Sequence, residues 1–125
     1  MIPARLVILI LILSISLFVV IPHFAPNYIM ADEKEIVIQI TAKKFEYSPK
    51  DITVKKDVPV LLEFTSLDRL HGFNCPGLGI RSDILPGKTT QLRFIPNKAG
   101  TFPFHCDNFC GLGHEGMTGT IIVED

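Results

Sequence analysis

The sequence predicts an all-β sandwich of short strands behind one N-terminal transmembrane helix, and three observations carry that expectation. Residues 6–25 run for 20 positions without a charge, the length a helix needs to cross the hydrocarbon of a bilayer. From residue 35 onward apolar and polar positions alternate with period two, the mark of half-buried strands, and no stretch there has helical spacing. Turn-forming residues separate these runs at intervals that suit an antiparallel sandwich.

Residues 1–25 are therefore expected to form a membrane anchor. A lone Arg5 precedes the apolar run, which places the N-terminus in the cytoplasm and the rest of the chain on the periplasmic or extracytoplasmic side. The rival reading, a cleaved signal peptide, requires a shorter apolar run and a small-x-small site, and none stands between Ile21 and Asp32. Either reading exports the remainder of the chain. Residues 26–34 mix Pro, Asn and charge as a linker does, and residues 35–125 are expected to be one domain. Beyond Arg5, 11 Lys and Arg face 13 Asp and Glu with no basic block, which excludes nucleic acid as a partner. The small acidic excess suits a weakly basic docking partner, or simply a solvated surface.

The first strand is expected where Ile36, Ile38 and Ile40 share one face and Val37, Gln39 and Thr41 the other. Residues 51–55 and 58–65, rich in β-branched side chains, follow as two more, separated by Lys56-Asp57. Residues 66–88 read as a long polar loop containing His71, Cys75 and the turn Pro86-Gly87. Residues 89–95 alternate again, Pro96-Asn97 turns the chain, and residues 100–105 and 118–123 make the last two strands. A Gly-rich loop, residues 106–117, joins that final pair.

This loop carries the chemistry. Cys106, Cys110, His114 and Met117 place two thiols, an imidazole and a thioether within twelve residues, all soft or borderline metal ligands. Gly111, Gly113 and Gly116 let the backbone bend tightly enough for them to converge. His71 is a fifth candidate ligand, 35 positions before Cys106. A Cys106–Cys110 disulfide suits an exported compartment but leaves His114 and Met117 without a role. Structural zinc needs only the two Cys and two His, and the thioether of Met117 speaks for copper instead. A single blue-copper ion leaves one thiolate surplus. Two coppers bridged by both thiolates, each ended by one imidazole and one of them touched by Met117, use every ligand. No open coordination position with a general base accompanies them, so the chain holds no complete catalytic site of its own.

The spacing His71, then Cys106-x3-Cys110-x3-His114-x2-Met117, resembles the binuclear CuA centre of cytochrome c oxidase subunit II and is similar to that of nitrous oxide reductase. The resemblance extends over Asp68-Arg-Leu-His71-Gly-Phe and Gly79-Ile-Arg-Ser-Asp83-Ile-Leu-Pro86-Gly. It implies a cupredoxin-like Greek-key sandwich, a pair of copper ions as cofactor, and Asn108 as a ligand through its backbone carbonyl. It implies electron transfer from a c-type cytochrome or other exported donor to a haem-copper oxidase catalytic subunit in the same membrane. Members of this kind mostly carry two spanning helices and a Glu between the cysteines that helps hold magnesium, whereas this chain has one predicted span and Asn108. It also has no Trp, the aromatic entry point many members offer to cytochrome c. Other functions compatible with the ligands are a stand-alone membrane-anchored carrier, a protein that stores or delivers copper, and a structural zinc module. Phe73, Phe104 and Phe109 are expected in the core, as is Cys75, a small buried hydrophobe. Glu115 is expected in solvent.

Overall fold

The computed structural model describes residues 34–125; the predicted anchor and all of the predicted linker but Lys34 lie outside them. Among the described residues no helix is long and apolar enough to cross a membrane. In chain order the described strands are β1 (Ile36–Lys43), β2 (Glu46–Ser48), β3 (Asp51–Lys55), β4 (Val60–Ser66), β5 (His71–Cys75), β6 (Ile80–Ile84), β7 (Thr89–Phe94), β8 (Gly100–His105) and β9 (Thr118–Glu124). They form a four-stranded sheet in the order β2-β1-β4-β7 and a five-stranded sheet in the order β3-β9-β8-β5-β6. The expected all-β sandwich is present.

Two expectations need correction. The stretch 66–88 is not one loop: β5 and β6 pair antiparallel within it, from His71↔Ile84 to Cys75↔Ile80, around a 3-10 turn at Pro76–Leu78. β5 is buried at four of its five positions, so it shows no alternation to reveal it. The sandwich is also mixed. β1 runs parallel to β4, and β3 parallel to β9. The chain leaves β2 for the opposite sheet at β3 and then returns to β4, and such a crossover brings a strand back beside β1 in the same direction.

Alternating side chains fill the space between the sheets. Ile40, Ala42, Leu62 and Phe64 come from one sheet, and Ile52, Val54, Phe73, Phe104, Ile121 and Val123 from the other. An aromatic cluster occupies the core below the ligand loop, where Phe104 lies 4.8 Å from Phe73 and 5.0 Å from Tyr47 between ring centroids. Gly119 leaves the room this cluster needs, because a Cβ there would collide with the Phe104 ring and the Lys50 carbonyl.

The topology places the loop. β9, β8 and β5 are neighbours in one sheet. Met117 precedes β9, Cys106 follows β8 and His71 begins β5, so the three emerge side by side at one end of the sandwich.

Candidate metal centre

Three strand ends and one loop build the centre. The Cys106 N–H donates to the Met117 carbonyl at 3.1 Å, closing the loop at its base. Inside it the N–H groups of His114, Gly116 and Met117 return to the carbonyls of Gly111, Gly113 and His114, winding the chain back on itself. Gly111 and Gly113 adopt φ of 130° and 106°, a region closed to most side chains. A Cβ at Gly113 would also stand 2.7 Å from the Phe45 ring.

The sulfurs meet inside. Cys106 Sγ lies 3.8 Å from Cys110 Sγ, both thiols are free, and Cys110 Sγ lies 3.4 Å from His114 Nδ1 and 3.9 Å from Met117 Sδ. His71 joins them: its ring and the sulfurs of Cys106 and Cys110 offer donor atoms all within 4.8 Å of one another. The Asn108 carbonyl is 3.1 Å from Cys106 Sγ. His71, Cys106, Cys110 and Met117 are buried, while His114 is half-buried. Donor atoms of His71, Cys106 and Cys110 thus lie mutually within reach of one ion, while His114 and Met117 contact Cys110 Sγ and the Asn108 carbonyl contacts Cys106 Sγ.

Hydrogen bonds hold His71 ready. Its Nε2 is 2.7 Å from the Asp68 carboxylate, and its Nδ1 is buried with no partner. A buried ring nitrogen without a partner costs free energy, and a cation bonded there would remove that cost. Burial pushes the Asp68 carboxyl up, but hydrogen bonds from His71 and from the Lys44 and Arg69 N–H groups outweigh it and hold the group at about 2. Asp68 therefore stays a carboxylate and keeps the ring proton on Nε2, leaving Nδ1 as the free lone pair. Burial, followed by the hydrogen bond and charge of Cys106, pushes the Cys110 thiol up to about 11. Two adjacent thiolates in this enclosure need a cation to stabilise them. Two soft sulfur anions, a thioether and two imidazoles suit copper, so the residues fit the implied group.

Residues to which the sequence alone assigned no role support the ligands. Tyr47 OH donates to the Gly72 carbonyl at 2.6 Å, and burial above all pushes its phenol up, so it stays a neutral donor. The Gly72 N–H donates to Cys106 Sγ at 3.3 Å, and Arg69 Nη1 donates to the Cys110 carbonyl at 3.0 Å. Asp68, three positions before His71, was legible as a partner for the imidazole; Tyr47 had no local signal. Phe73 and Phe104 are in the core as expected, and Cys75 is buried. Phe109 is a correction: it is 78% exposed and, with Leu112, rims a hollow of about 260 Å³ beside His114. In an irregular loop no periodicity marks which side chains turn inward: Cys110 is buried and Phe109 beside it is not, so apolar character alone misplaced it. Glu115 is exposed as expected.

Replacing Asp68 by Ala is expected to weaken copper binding by about 10- to 100-fold, the usual cost of losing the partner that orients a ligating imidazole. Competition against a chelator of known affinity measures it.

Residues 7–123 match the cupredoxin-like domain family. The chain is 31% identical over 101 residues to cytochrome c oxidase subunit 2 of Thermus thermophilus, covering 81% of this chain and 75% of that protein. It is also 31% identical over 100 residues to nitrous-oxide reductase of Ralstonia nicotianae, covering 77% of this chain but only 16% of the enzyme. Among solved structures, a chain of a heme-copper terminal oxidase dimer superposes with a TM-score of 0.68 at 25% identity, over 96% of this chain and 94% of that one.

Proposed function

Because the chain belongs to the cupredoxin-like domain family, and within it to the cytochrome c oxidase subunit 2 family, we propose that it transfers single electrons through a binuclear CuA centre. In this reading His71, Cys106, Asn108 through its carbonyl, Cys110, His114 and Met117 hold the two coppers. The observation that carries it is the pair of free, buried sulfurs 3.8 Å apart beside the unpartnered Nδ1 of His71.

When bound, the metal pair supplies a one-electron acceptor and donor. The protein supplies the rest. The thiolates of Cys106 and Cys110 would offset most of the charge of a bound copper pair, so that gaining one electron would change a small net charge, which a buried centre tolerates. Burial of four ligands excludes water, and the strand ends fix their positions, so little has to move when an electron arrives. His114 is, with Asn108, one of the two half-buried ligands, and its ring lies 5.8 Å from the exposed Phe109 ring. That edge is where a donor would approach, with the exposed Phe109 ring as its apolar contact.

We place the domain outside the cytoplasm on an N-terminal anchor, as the electron-entry subunit of a haem-copper oxidase. The donor is a c-type cytochrome or another exported one-electron carrier. Gentle solubilisation of the native membrane is expected to bring haem and a catalytic subunit down with this chain. Reduced c-type cytochrome is expected to be oxidised by the isolated copper-loaded chain, one electron per centre. Recovery without haem, and no electron uptake from any c-type cytochrome, would defeat the proposal.

Met117→Leu tests the thioether. The two side chains are close in volume, so the fully buried site keeps its packing. Both coppers are expected to remain, with the reduction potential raised because the oxidised form loses a weak donor. Voltammetry on the loaded protein reads the shift.

A further inference from the structure

We propose that Arg81 and Asp83, on β6, are positioning residues that clamp the first two residues between the cysteines and thereby set the Asn108 carbonyl against Cys106. The inference rests on the electron-transfer reading above.

Arg81 grips Asp107 with two prongs, Nε to Oδ2 at 2.6 Å and Nη2 to Oδ1 at 3.1 Å. The same Nη2 donates to Asp83 Oδ1 at 2.7 Å, and that oxygen also accepts from the Asn108 side-chain amide at 2.9 Å. The amide has a second acceptor in the His71 carbonyl at 3.4 Å, and Asn74 Nδ2 adds a 3.4 Å contact to Asp107. Every anchor belongs to β5 or β6, whose backbones are fixed by pairing. Asp107 and Asn108 belong to no strand and make no backbone-to-backbone hydrogen bond among the described residues, so these side-chain contacts are what hold them.

An exposed ion pair is ordinarily worth little to stability. This one is different in what it is attached to. Asn108 presents its carbonyl 3.1 Å from Cys106 Sγ, and the same sulfur accepts the Gly72 N–H at 3.3 Å. The Asp107 carboxylate lies so close over Gly72 that a Cβ there would collide with it. The clamp therefore closes onto the backbone that donates to the sulfur. Releasing Asp107 frees the loop to rotate, which moves the carbonyl and the sulfur together. Neither Arg81 nor Asp83 is hydrogen-bonded to a ligand's sulfur or ring, so their influence passes through the loop. The Asn108 side-chain amide donates to Asp83 and to the His71 carbonyl, which ties it to both strands of the clamp.

The test uses the full chain in detergent, as wild type, Arg81→Gln and Arg81→Lys, loaded with copper alone. Arg81→Gln is expected to release copper to a chelator about tenfold faster or more, within the range for residues that orient metal ligands. Its visible and electron paramagnetic spectra are expected to shift while the metal-free protein melts close to wild type. Arg81→Lys keeps the charge but not the fork, and is expected to fall between the two. Release and spectra identical to wild type in Arg81→Gln overturn the clamp. If Arg81→Gln does not fold, Arg81→Lys decides: faster release than wild type supports the clamp, and equal release overturns it. A wild type with no two-copper spectrum defeats the electron-transfer reading instead. The clamp is then decided in the metal-free chain, where alkylation of Cys106 is expected to be faster in the Arg81 variants and equal rates overturn it.

Discussion

Cys110→Ser is expected to abolish the proposed two-copper centre entirely. Cys110 Sγ is the hub of the cluster, standing 3.8 Å from Cys106 Sγ, 3.4 Å from His114 Nδ1 and 3.9 Å from Met117 Sδ. A serine hydroxyl is harder, shorter-reaching and un-ionised at neutral pH, so it cannot bridge two soft ions. The loop itself is held by backbone hydrogen bonds and by Arg69 on the residue-110 carbonyl, none of which involves the sulfur. The variant should therefore fold, bind at most one copper and lose the purple absorption of the pair. Metal analysis beside a visible spectrum reads both at once. A variant that stayed purple would show that the ligand assignment is wrong.

Phe104→Ala is expected to cost the most stability of any single change considered. The ring is 1% exposed and packs between Tyr47 and Phe73 in the cluster below the metal loop. Truncating a buried Phe removes its transfer free energy and leaves a cavity, together about 3–5 kcal/mol. For a domain of this size that corresponds to a melting temperature lower by on the order of 20 °C. Calorimetry on the metal-free chain measures it without interference from bound copper. The effect should reach the site as well. Phe104 is two residues before Cys106, and Tyr47, its neighbour, anchors the Gly72 carbonyl next to His71.

The metal loop was the most legible part of the sequence because its chemistry is local: four candidate ligands within twelve residues need no knowledge of the fold. His71 was legible as a ligand type, but its setting was not. It begins a strand buried nearly throughout, and His-Gly-Phe-Asn-Cys has no period-two pattern to reveal that. β6 does alternate, with Ile80 and Ile84 turned inward relative to Arg81 and Asp83, yet Pro76-Gly77 and Gly79 beside it read as loop. β2, at three residues, is too short to carry a pattern. Strand direction was out of reach in a different way. Alternation fixes which face a side chain takes, whereas the parallel pairing of β1 with β4 depends on where the chain crosses between sheets. The residues that steady the site, Tyr47, Asp107 and Arg81, act across long sequence separations. Nothing adjacent to them in the chain marks their partners.

In the proposed function two sulfurs hold a pair of copper ions that share one electron. The most direct measurement counts metals in the full chain purified from its own membrane without added copper, with an electron paramagnetic resonance spectrum of the same sample. The expected result is two coppers and no zinc per chain, with a single unpaired spin spread equally over both nuclei. Zinc in the site, or one copper with a spectrum localised on it, would rule out a shared-electron copper pair.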